Sequence, residues 1–144
     1  MADPFLLAGA ASSALAAVLH LACIVVGAPL YRWLGAGEGI AQMAEAGHWY
    51  PTAMALSIAG VLSVLALYAL SGAGAIRRLP LLRTALCAIT AVYLLRGLGF
   101  LALMPYFPGN SLAFWLVTSA ICLVIGGVHL AGIGRRWAHL KPAD

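Results

Sequence analysis

Long apolar runs, broken only by small or weakly polar residues, alternate with short segments that hold nearly all of the charge. Four of these runs, Phe5–Ala28, Tyr50–Ser71, Leu81–Met104 and Leu112–Ile133, reach the roughly 20 residues a helix needs to cross a bilayer at ~1.5 Å per residue. Pro51 and Pro80 stand where the first turn of a helix tolerates a missing N–H, and Asn110 or Ser111 is placed to cap the last run. Between the first two runs, the segment Glu38–Ala46 puts Ile40, Met43 and Ala44 on one helical face, with Gln42 and Glu45 away from it. Gly47 supplies a stop for that segment. The pattern predicts an all-α fold: an integral membrane four-helix bundle, one domain over residues 1–144, with a short interfacial helix in the first external loop.

Composition agrees with the pattern. The chain is 64% hydrophobic and 8% charged, with a mean hydropathy of +1.01, against about 45–50% and 25% in soluble domains. A fold of this size leaves much of its surface wet, so a soluble enzyme, a nucleic-acid module and a disordered tail are excluded. The first run does not read as a cleaved signal peptide, because Asp3 stands where a basic segment belongs and the run is too long.

The net charge of +4 has a local explanation. Arg77, Arg78 and Arg83 flank the second connection, and Arg135, Arg136 and Lys141 follow the fourth run. The opposite face carries Arg32 alone, offset by Glu38 and Glu45. The positive-inside rule then places both termini in the cytoplasm without any nucleic-acid partner. Tyr31, Trp33, Trp49, Tyr50 and Tyr106 fall on the outer side as an aromatic belt.

Candidate chemistry is sparse. Cys23, Cys87 and Cys122 sit at different depths and form no CxxC, so they read as small packing residues rather than a disulfide or redox pair. His20 and His129 raise haem ligation, but their levels differ by on the order of 15 Å. No cofactor is therefore expected, haem and quinone included, and no metal site. His48 and His139 read as solvated residues at the interfaces. Gly35, Gly37 and Gly39 lack the strand and lysine of a phosphate loop and read as linker. No run holds Asp or Glu, which argues against a proton relay or cation exchanger. Neither a Ser–His–Asp set nor an HExxH helix is recognisable.

Arg96 is the residue this pattern does not absorb. It lies 13 positions from Arg83 and 8 from Met104, and an arginine at the bilayer centre costs about 2.5–3.5 kcal/mol on insertion scales. Depth matching places His20, Ser57 and Tyr93 within about one turn of it. The small-residue stripes Ala8, Ser12, Ala16, His20 and Trp115, Ser119, Cys122, Gly126, His129 predict the interior faces of the first and fourth helices. Two readings stay open. Arg96 is a strut that donates to Tyr93, His20, backbone carbonyls or Glu45 of the surface helix. Otherwise it is the cationic end of an outward cleft for an anion, a lipid headgroup or a quinone, with Arg96, His20, Tyr93, Ser57 and Glu45 as candidate ligand-binding residues.

Several stretches are distinctive together: Gly27–Ala28–Pro29–Leu30–Tyr31–Arg32, Ala44–Glu45–Ala46–Gly47, Arg78–Leu79–Pro80–Leu81–Leu82–Arg83, Tyr93–Leu94–Leu95–Arg96–Gly97 and Pro105–Tyr106–Phe107–Pro108–Gly109–Asn110–Ser111. By these the whole chain resembles an uncharacterised family of small four-transmembrane-helix inner-membrane proteins of proteobacteria. The resemblance implies a bacterial inner membrane and about this length, and it implies no activity. Characterised small four-span families differ at their chemistry. The second run lacks the charged constellation of glutathione and eicosanoid enzymes, the first lacks the acidic residue of small multidrug exporters, and the paired cysteines of vitamin K epoxide reductases are missing. The expectation is an accessory or assembly subunit or homo-oligomer without a catalytic site, in contact with the bilayer and with itself or a membrane-protein partner. The alternative is a binding or transport protein built on the Arg96 layer.

Overall fold

The computed structural model describes residues 1–140; Lys141, counted above among the basic residues, lies outside them. All regular structure in the described residues is helical. α1 is Pro4–Val26, α2 Ala28–Trp33, α3 Glu38–Glu45, α4 Trp49–Ala73, α5 Leu82–Leu98, α6 Phe100–Leu103 and α7 Leu112–Arg136, with a 3-10 turn over Met104–Tyr106. Three helices, α1, α4 and α7, are long and apolar enough to cross a membrane, and the bent pair α5–α6 makes a fourth if it counts as one span. Large apolar side chains such as Leu15, Val25, Leu95 and Val124 stand exposed.

Local chemistry sets the ends. Asp3 caps α1 by accepting from the Phe5 and Leu6 N–H groups, with Pro4 in the first turn. Gly27, at φ 79, ends α1, so the first apolar run breaks before Ala28 and turns into α2. Gly47 (φ 70) follows α3 as expected. His48 Nδ1 accepts from the Tyr50 N–H at the start of α4, and Ser111, not Asn110, caps α7. Pro80 lies just ahead of α5 rather than in its first turn.

The third run is not one continuous span. α5 stops at Leu98, and the segment Phe100–Tyr106 leaves it at 71°. The break falls at Gly99, where any Cβ would stand 2.8 Å from the Leu95 carbonyl oxygen. Glycine permits the close approach, and its poor helix propensity favours the stop.

α1 packs along α4 and α5 along α7, and the two pairs join mainly through α1 and α7. Glycines set the closeness of α5 and α7: Leu123 seats against Gly97, and Leu94 against Gly126. α4 and α5 meet over a shorter stretch. One apolar cluster, built on Leu6, Leu82, Leu86, Ile89 and Ile133, fills the arginine-rich end. A second, built on Cys23, Ala28, Tyr31, Ala41 and Ala55, fills the end covered by α2 and α3.

The buried face of α1 is Leu6, Gly9, Ala10, Ser13 and Ala17, one position round from the expected Ala8–Ser12–Ala16–His20 stripe, because Gly9 and Ser13 are the residues that admit α7 and α5. The face of α7 is as expected, with Trp115, Ser119, Gly126 and His129 buried and Cys122 partly so. Tyr31 leaves the expected aromatic belt: it is buried, and its hydroxyl donates to the Pro51 carbonyl at 2.9 Å. Trp33, Trp49, Tyr50 and Tyr106 remain exposed.

Both chain ends meet the α4–α5 connection. The Asp3 N–H donates to the Ala73 carbonyl, Arg135 pairs with the Asp3 carboxylate at 3.1 Å, and Arg136 donates to Ala73. Arg77, Arg78, Arg83, Arg135 and Arg136 therefore share one end of the molecule.

Candidate functional site

Beside the second apolar cluster the helices leave a hollow. A cavity of about 420 Å³ lies under α2 and the α6 region, and its wall includes His20, Tyr31, Met54, Arg96, Phe114 and Thr118. Its mouth is held by the turn after α2: Asn110 Nδ2 donates to the Gly35 carbonyl at 3.0 Å, and Gly35 lies so close to the Phe114 ring that no side chain fits there. Gly35 also has a φ of 75, a conformation that glycine accepts freely.

Arg96 occupies the inner side of this cavity. Because the helix ends two residues later, Arg96 is nearer the α2–α3 end than its distance from Met104 along the chain suggests. It is level with Thr118, six residues into α7, or about 9 Å from that helix end. Its Nη2 donates to Thr118 Oγ1 over a long 3.5 Å, and its Cζ stands 5.2 Å from the centroid of the Trp115 ring. Nη1 is buried and has no hydrogen-bond partner. The expected partners do not reach it. Tyr93 Oη shares a 2.8 Å hydrogen bond with Ser13 Oγ, and His20 Nδ1 donates to the Ala16 carbonyl at 2.8 Å. Glu45 is bound to Arg32 at 2.8 Å on the far side of the α2–α3 layer.

Among the described residues, then, each carboxylate is taken by another arginine. Asp3 pairs with Arg135, and Glu38 and Glu45 with Arg32 at 2.7 and 2.8 Å. Hydrogen bonds from Arg32 hold the Glu38 carboxyl below its ordinary value, and the same pairs raise the Arg32 guanidinium above its own. The charge of Arg96 has no such counterpart.

Of the expected site residues, the fold brings Arg96 and His20 to one cavity and sets Arg96, Ser57 and Tyr93 along an adjoining groove. Ser57 is exposed and donates to the Ala53 carbonyl at 2.8 Å. Glu45 stays outside. Thr118, Trp115 and Phe114 are additions; their i, i+3 and i+4 spacing on α7 opposite Arg96 was the available signal.

A second polar set lies deeper. Tyr93 stacks on His129 (centroids 5.6 Å, planes 25° apart), and the His129 Nδ1–H donates to the Ile125 carbonyl at 2.9 Å. His129 is fully buried, and its Nε2 has no partner. His20 and His129 line different parts of the bundle, and no group of three or more His, Cys, Asp or Glu placed to hold a metal occurs among the described residues.

The chain matches no family model, no curated protein and no solved structure. Function must be read from the cleft itself. The larger hollow at the arginine-rich end, beside Arg78 and Arg83, is a weaker candidate. Arg83 already lies 3.3 Å over the Trp137 ring and Arg78 donates to the His139 carbonyl, so these cations are engaged.

Proposed function

We propose that this chain is a four-span protein of a bacterial inner membrane, with both termini cytoplasmic, that binds a membrane-soluble ligand in the Arg96 cleft. The observation that carries this reading is a buried guanidinium with an unpartnered Nη1 beside an open cavity. An intramembrane arginine is expected to find a partner, and the acidic side chains among the described residues are committed elsewhere. The clustering of five arginines at one end supports the orientation. The protein performs no covalent chemistry in this reading: it holds, hands on or senses its ligand.

Native mass spectrometry of protein extracted gently from its own membrane tests this. A bound small molecule that disappears in Arg96→Leu, while the fold and thermal stability persist, is the expected result. Ligand-free protein from native membranes, together with indifference of stability to added amphiphiles, overturns it.

A second reading, assembly with a further copy or a membrane-protein partner, draws on α7. Ala113, Ala120, Gly127 and Gly134 recur every seven residues, with Val117, Val124 and Ala131 between them, and all are exposed. A Cβ at Gly127 or Gly134 would meet nothing, so packing within the chain does not require these glycines. Small stripes of this kind let helices approach closely in membranes. Blue-native electrophoresis of Gly127→Leu against the parent tests it, and a free monomer in both would refute it.

A further inference from the structure

Three hollows lie in succession along α4, each sharing wall residues with the next. The Arg96 cavity shares Ile58 and Arg96 with a groove of entirely apolar exposed surface between α4 and α5. That groove shares Val61, Leu65 and Val92 with a third hollow, which continues to Tyr68 on α4 and Ala85 on α5. Ile58, Val61, Leu65 and Tyr68 follow the 3- and 4-residue spacing of a single helical stripe. From Ile58 to Tyr68 the stripe covers ten residues of α4, or about 15 Å. The path follows the seam between α4 and α5, which meet less extensively than α1 with α4 or α5 with α7. Its cationic point, Arg96, is near the α2–α3 end, and from there toward the arginine-rich end its walls are mostly apolar.

We propose that the ligand of this cleft is a single-tailed, long-chain carboxylate, with its headgroup on Arg96 and its tail along the α4–α5 groove. The inference rests on the ligand-binding reading above and gives it a substrate class. The guanidinium presents a planar fork that matches a carboxylate, and a charge-assisted pair of this kind is far stronger than a neutral hydrogen bond. A headgroup oxygen placed beside the guanidinium supplies the acceptor that Nη1 lacks. One arginine with no neighbouring cation balances one negative charge, which favours a carboxylate over a phosphate dianion. One stripe of groove suits one tail, and its direction is that of an amphiphile in the leaflet on the α2–α3 side.

The test uses the full chain in nanodiscs of zwitterionic lipid, with palmitate, hexadecanol, lysophosphatidic acid, ubiquinone and inorganic phosphate as probes, read by native mass spectrometry and by thermal stabilisation. Palmitate should bind one per chain, and the loss of one charge-assisted pair should weaken hexadecanol by about tenfold or more. Arg96→Gln should remove that discrimination, and Arg96→Lys should keep part of it. Val61→Trp should weaken palmitate by obstructing the tail while leaving Arg96 untouched. Equal binding of palmitate and hexadecanol, or palmitate binding indifferent to both Arg96→Gln and Val61→Trp, overturns the proposal. If lysophosphatidic acid or ubiquinone binds in an Arg96-dependent way and palmitate does not, the carboxylate inference falls and the ligand-binding reading stands. If no amphiphile binds, or phosphate alone does, both fall.

Discussion

The seating of His129 against Gly9 gives the sharpest structural prediction. His129 is held between the Tyr93 ring, 5.6 Å away, and the bare backbone of α1 at Gly9. A Cβ added at Gly9 would stand 2.8 Å from both Nδ1 and Nε2 of the imidazole, and closer still to Cε1. The ring cannot retreat, because Tyr93 lies behind it and its Nδ1–H is bound to the Ile125 carbonyl. Overpacking of this kind costs about 1–3 kcal/mol. Alanine in place of glycine in a helix returns about 1 kcal/mol, so Gly9→Ala alone should be destabilising by roughly 0–2 kcal/mol. The decisive quantity is therefore the double-mutant cycle. In a His129→Ala background the obstruction is gone, and Gly9→Ala should become neutral or stabilising. The coupling between the two positions should then be about 1–3 kcal/mol. Reversible unfolding in mixed detergent micelles, followed by far-UV circular dichroism on all four proteins, measures it. If Gly9→Ala has the same effect in both backgrounds, α1 does not pack on His129 as described.

Other consequences are as direct. Asp3→Ala removes the acceptor of two α1 N–H groups and the partner of Arg135, and should destabilise the fold by about 1–2 kcal/mol; Asp3→Asn, which keeps the cap, should fall between it and the parent in the same unfolding assay. Gly97→Val should cost about 1–3 kcal/mol, because its Cβ would lie 2.6 Å from Leu123 Cγ, and cysteine crosslinking between α5 and α7 should weaken with it. The Arg32–Glu38 clasp should be pH-dependent in a defined sense. A carboxyl held below its ordinary value of 4.5 contributes stability that is present above that value and is lost as the pH falls through its lower folded value. The protection of the α3 amides, taken relative to their intrinsic exchange rates, should therefore fall in strong acid and be flat near neutrality, and Glu38→Gln should show the low protection throughout.

The helices were legible because their signal is length and apolarity, which does not depend on partners. Gly47 and Ser111 were legible for the same reason, as local punctuation. What the pattern missed was decided between helices. The α1 face was placed one residue off because alanine and serine are so evenly spread that several stripes look alike, and only the fit of Gly9 on His129 and of Ser13 on Tyr93 selects one. The break at Gly99 was hidden because the apolar run continues through it to Leu103. Asp3 offered a clear signal, a capping residue followed by proline, but its link to Arg135 spans nearly the whole chain. For the candidate site, depth counting grouped Arg96 with His20, Ser57 and Tyr93, which line two neighbouring hollows, yet it could not show that Tyr93 and His20 are already hydrogen-bonded elsewhere or that Glu45 is paired with Arg32.

The hollow itself bears on whether Arg96 is a strut. A strut needs partners, and Arg96 has one long hydrogen bond to Thr118 and a ring 5.2 Å away. Packing rules would then favour an apolar replacement, since a partly satisfied buried ion is often no better than a packed hydrocarbon. The surroundings point the other way. The cavity wall includes the small residues Ala36 and Ala55. α5 ends just beyond and the following segment turns away. A bundle under selection for density alone would fill such a gap, because interiors pack as closely as crystals. Here a cavity, an uncompensated cation and a helix break coincide. Departures from local packing rules that gather at one place are where function is expected. The same reasoning separates this layer from Tyr93–His129, where the polar groups are tightly packed against glycine and leave no room for a guest.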